Sequence, residues 1–124
     1  MEYNKSLDYF GRFIMRKLRD RGIVSIDGLL RGKWKAPALI ELQRELNELS
    51  PRQKAIVRRA FLESLDTAVH DFLFAVQEES DRQGRLRVLV DDQNVAASSD
   101  GLHGELFGGD GWMARHSEFG EPPE

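Results

Sequence analysis

The sequence predicts an α+β fold: three to four N-terminal helices, one of them long and central, followed by a small antiparallel sheet. Three observations carry this. Apolar residues recur every three to four positions from Leu7 to Val76. The string Ser50-Pro51-Arg52-Gln53 combines an N-cap, a proline at the first helical position and a capping-box glutamine. After Gly84 the period shortens to the alternation Arg85-Leu86-Arg87-Val88-Leu89-Val90, rich in β-branched residues. At 124 residues, 40% hydrophobic and 31% charged, the chain supplies about one domain. That domain is expected over residues 1–119, with 120–124 as a flexible tail.

The first helix is expected from about Ser6 to Arg21. Tyr3, Leu7, Phe10, Ile14 and Leu18 share one face, Asn4 or Ser6 caps it, and Gly22 is a stop signal. Arg12, Arg16 and Arg19 lie on the opposite face beside Tyr9, and Asp8 is spaced to pair with Arg12. Between Gly22 and Ala36 the glycines allow only a short helix near Ile26–Leu30, then a loop through Lys33-Trp34-Lys35. A further helix is expected from Pro37 to Leu49, with Leu39, Leu42, Leu46 and Leu49 in register.

The helix opened at Ser50 runs to about Glu79. Its apolar stripe holds Val57, Phe61, Leu62, Leu65, Ala68, Val69, Phe72, Leu73 and Val76, a width that suits central packing. Such a helix would be roughly 43 Å long, against a domain diameter near ~35 Å. It must end early, bend, or pack its excess on another chain. Ile56, Ala60, Thr67 and Phe74 project away from the main stripe, so either the rest of the fold covers them or a second molecule does. Beyond it, strands are expected at Arg85–Val90 and Val95–Ala97 around an Asp91–Asn94 turn. A second hairpin is expected across Glu105–Phe107, Gly108-Gly109-Asp110-Gly111 and Trp112–Arg115.

Composition removes several function classes. There is no cysteine, hence no disulfide scaffold, thiolate nucleophile or sulfur-ligated zinc. The longest apolar run, Phe72–Val76, is far below the ~20 residues of a membrane span. No apolar h-region separates Glu2, Lys5, Asp8 and Arg12, so a cytoplasmic location is expected. The formal charge of −3 is unevenly spread. Residues 1–60 hold 14 basic and 7 acidic side chains, and residues 61–124 hold 4 and 14. Polarised halves imply electrostatic contact with a partner or with each other.

The string Leu49–Val57 resembles the opening helix of the DNA-binding region of sigma factors and related helix-turn-helix regulators. The downstream residues depart from that pattern, because Ala68–Phe74 is too apolar for a recognition helix. A nucleic-acid reading instead uses the basic set of the N-terminal half, with Trp34 between Lys33 and Lys35 to stack a base. An enzyme reading uses His103, Glu105 and His116. If extended, His103-x-Glu105 places both side chains on one face, as metal ligands with His116 or as a histidine base with an acidic orienter. The loop Gly108–Gly111 lacks the lysine and spacing of a phosphate cradle, and no cofactor is expected.

The function expected from the sequence is a non-enzymatic binding module (an adaptor, inhibitor or immunity-like protein) acting through protein–protein contacts, with a homodimer among its expected assemblies. Trp34, Phe74, Phe107 and Trp112 are its expected apolar anchors. The Arg12/Arg16/Arg19 face or the acidic second half steers the encounter. No membrane contact is expected.

Overall fold

Lys5 to Arg31 wind into one unbroken rod, as seen in the computed structural model, which describes residues 4–122. The rod consists of α1 (Lys5–Ile14), a π-helical segment (Met15–Arg19) and α2 (Asp20–Arg31). Asn4 caps it, its side-chain oxygen accepting from the Leu7 amide at 2.8 Å. Gly22 does not stop the helix. It lets α2 approach the next long helix, since a Cβ there would stand 2.9 Å from Leu65. The stop is Gly32, whose φ of 66° places it in the left-handed region.

The π-helical segment corrects the predicted apolar face. A π-turn adds a residue per turn and rotates everything after it. Met15 and Arg19 thereby face the interior at 0% and 1% exposure, while Leu18, expected in the stripe, is 43% exposed. Tyr3, expected on the same face, lies outside the described residues.

α3 (Pro37–Asn47) begins at its proline and buries only Gln43. The glutamine accepts from the Trp34 amide at 2.9 Å and donates to the Trp34 and Leu39 carbonyls. The leucine stripe stays half open, with Leu42 exposed.

α4 (Pro51–Arg82) starts at the predicted capping box, both of whose hydrogen bonds form. It neither ends early nor breaks. Its 32 residues span about 48 Å. α2 covers the first half, helped by the Arg58–Asp27 ion pair at 2.6 Å. That bond, then the opposing Asp27 charge, hold the Arg58 guanidinium's pKa above its usual value against the pull of burial. The buried stripe is narrower than expected: Leu62, Val69, Leu73 and Val76 are buried, but Phe72 and Ala68 are not. The helix packs on one side only.

The sheet is smaller than predicted. β1 (Leu89–Val90) pairs antiparallel with β2 (Gln93–Asn94). Asp91 and Asp92 turn the chain, both with positive φ, as a two-residue hairpin of this hand requires. Val95 and Ala96 are buried without forming a strand. Gln77 pins them instead. Its side chain donates to the Ala96 carbonyl and accepts from the Leu102 amide, each at 2.9 Å.

The expected second hairpin is absent among the described residues. Leu102–Leu106 forms a 3-10 turn and Trp112–His116 a short helix, α5. Leu102 and Leu106 are both fully buried, and the turn that carries them packs on α4. The main core joins α1, the second half of α4 and these C-terminal pieces around Phe10, Ile14, Leu73, Leu106 and Trp112. Ile23, Ile26 and Leu62 are buried outside that cluster, between α2 and α4. No helix among the described residues is long and apolar enough to cross a membrane.

Candidate functional site

The solvent side of α1 carries a mixture of exposed aromatic and cationic groups. Tyr9 and Phe13 are one helical turn apart, 50% and 51% exposed. The core-facing residues Phe10 and Ile14 fix that orientation, because positions 9 and 13 then point outward. Arg12 lies over the Tyr9 ring with its Cζ 5.5 Å from the centroid, a cation–π contact. Arg16 continues the row and reaches towards the His116 carbonyl at 3.5 Å. Lys17 is exposed beside it.

Arg19 does not belong to this face. The π-helical rotation buries it, and its guanidinium forms a fork on Asp66 at 2.7 and 3.2 Å. It also donates to Ser117 Oγ and the Gly120 carbonyl. Asp20, also buried, accepts from Ser117 Oγ and from the Glu118 amide. These bonds tie the end of the chain to the middle of the long rod.

The other expected anchors divide. Trp112 is 1% exposed and belongs to the core, which removes it from any binding surface. Trp34 is half-buried. Its indole N–H donates to the Ser25 carbonyl at 3.0 Å and its ring lies against Gly28, where a Cβ would stand 2.1 Å away. The ring expected to stack a base instead closes the α2–α3 turn. Phe74 and Phe107 are exposed. They flank two histidines, with the His103 ring 4.9 Å from Phe74 and 5.2 Å from His70, and Phe107 6.3 Å from His70.

The residues of the enzyme reading are not assembled. His103 and Glu105 sit on the 3-10 turn, not on a strand. Glu105 accepts from Ser99 Oγ at 2.7 Å. His116 is turned to Asp8, its Nε2 2.9 Å from the carboxylate. Asp8, expected to pair with Arg12, also accepts from Arg115 at 2.6 Å. Asp8, Ser99, His103, Glu105, Asp110 and Arg115 line an open groove of about 1130 Å³. Among the described residues no three His, Asp or Glu side chains are grouped to hold a metal ion. His103 Nδ1 is buried without a hydrogen-bond partner.

Burial pushes the Asp8 carboxyl up, but the hydrogen bonds from Arg115 and His116 and their charges prevail and hold it below the usual carboxylate range. A depressed native pKa contributes stability above the unfolded value, near ~3.9, that is lost as pH falls through the native one. Acid titration of wild type and Asp8→Asn by circular dichroism is therefore expected to give a shallower loss of stability below about pH 4 for the variant. Parallel curves would show that the triad is not coupled to folding.

The burial of Arg19 leaves no mark in the sequence pattern, whereas exposed Tyr9 and Phe13 follow from the regular period of α1 before the π-helical segment. No family model matches this chain, and neither a curated protein nor a solved structure matches it.

Proposed function

We propose that this chain is a non-enzymatic binding module that recognises another protein through the outer face of α1. The observation that carries the reading is the pair of half-exposed rings, Tyr9 and Phe13, flanked by Arg12, Arg16 and Lys17. Aromatic and arginine side chains together are the composition of binding hot spots. The partner this face fits is an acidic protein surface with an apolar recess. The cations steer the encounter and the rings supply the buried contact.

The test is capture from native extract by wild type, Phe13→Ala and the charge reversal Arg12→Glu/Arg16→Glu, with nucleic acid measured in each eluate. A stoichiometric acidic protein is expected with wild type alone. Phe13→Ala is expected to weaken that complex roughly 10- to 100-fold, and the reversal to slow association and remove its salt dependence. Retention of the same protein by wild type and both variants alike overturns the reading. Recovery of nucleic acid released by salt replaces it with the nucleic-acid alternative.

A further inference from the structure

We propose that two copies of this chain associate about a two-fold axis through the outer faces of their α4 helices, packed antiparallel. This interface is independent of the α1 face.

Three observations carry it. First, α4 has an apolar stripe that the chain touches only at its far end, where the His103 ring stands 4.9 Å from Phe74. Ile56, Ala60, Thr67 and Phe74 fall within about 40° of one another at 100° per residue, directed away from the buried stripe. All four are exposed, Ile56 and Phe74 by 45% and 44%. The small Ala60 and Thr67 lie between the two large residues and permit close approach of a second helix.

Second, the helix is charge-polarised along its length. Pro51 to Leu62 carries Arg52, Lys54, Arg58 and Arg59 and no carboxylate. Glu63 to Arg82 carries six carboxylates and one arginine. An antiparallel copy sets each basic half against an acidic half. The register is specific. In a two-fold antiparallel pair, facing residues share a common midpoint. Ile56 with Phe74, Arg59 with Asp71, and Arg52 with Glu78 all have Leu65 as midpoint. One register thus makes an apolar contact and two ion pairs, each occurring twice by symmetry. Within one chain, Arg52 and Arg59 make no ion pair among the described residues. Asp71 meets His70, and Glu78 only Arg82 at 3.5 Å.

Third, the chain exposes more surface than a compact monomer of its mass. Its accessible area is 8570 Å², whereas a compact monomer of its 14.2 kDa exposes about 6,800 Å². The excess exceeds the ~800 Å² per partner of a standard interface.

The test is sedimentation equilibrium over a concentration series. Wild type is expected to approach twice 14.2 kDa. Arg59→Glu and Asp71→Arg each place like charges at two symmetric contacts. Each is expected to raise the dimer dissociation constant about tenfold or more, with unchanged circular dichroism. An equimolar mixture of the two variants re-forms both oppositely charged pairs, so its mass is expected to return to the dimer value. A wild type that stays monomeric at all concentrations overturns the proposal. So does a dimer insensitive to both substitutions, or a mixture no more associated than its components.

Discussion

Trp112→Ala is expected to destabilise the fold by about 3–5 kcal/mol, the range for deleting a buried large aromatic side chain. The indole is 1% exposed and meets Phe10 edge-on, with centroids 5.9 Å apart. It also lies directly on the backbone of α1 at Gly11, where a Cβ would stand 2.3 Å from the ring. Gly11→Ala is therefore expected to be destabilising too, despite alanine's better helix propensity of roughly 1 kcal/mol. A thermal melt reads both. Trp112→Ala should lower Tm by more than ~10 °C. Because the two positions touch, Gly11→Ala should cost much less in the Trp112→Ala background. A Tm within a degree or two of wild type for Trp112→Ala would be incompatible with a core tryptophan.

Asp66→Ala is expected to cost about 3–5 kcal/mol, the range for leaving a buried charge without its partner. Arg19 is 1% exposed and its fork is filled by Asp66, while its remaining donors reach Ser117 and Gly120. Removing the carboxylate strands a cation that water cannot reach. The double substitution Arg19→Met/Asp66→Leu removes both charges and their desolvation cost, so it should be less damaging than Asp66→Ala alone. Urea titrations of the three proteins give the comparison. A loss below ~1 kcal/mol for Asp66→Ala would mean the pair behaves as an exposed one.

The same arginine explains why part of the candidate site is illegible in the sequence. Arg12, Arg16 and Arg19 lie on one face only if the helix keeps its ordinary period. The π-helical segment at Met15–Arg19 changes that period, and nothing local in Met-Arg-Lys-Leu-Arg announces it. Trp112 misleads for another reason. A tryptophan after a glycine-rich turn resembles an exposed anchor, and only Gly11, a hundred residues away in sequence, reveals the slot that receives it. The C-terminal segment reads as hairpins because Leu102 and Leu106 pack on α4 through contacts with no counterpart in local alternation. By contrast, the start of α4 is legible to the residue, since the side chains of Ser50 and Gln53 each bond to the other's backbone amide.

By itself, the sequence determined the helix-first α+β order, the start of the long helix and the polarity of charge along the chain. Caps, periodicity and composition act over a few residues, so their physics is written locally. Tertiary structure alone decided which apolar and charged residues are hidden. It turned Arg19 and Trp112 inward, left Phe74 and Ile56 outside, and separated His116 from His103 and Glu105. Burial depends on what stands opposite a side chain, and that neighbour is set by distant pieces of chain and by one rotation within the first helix.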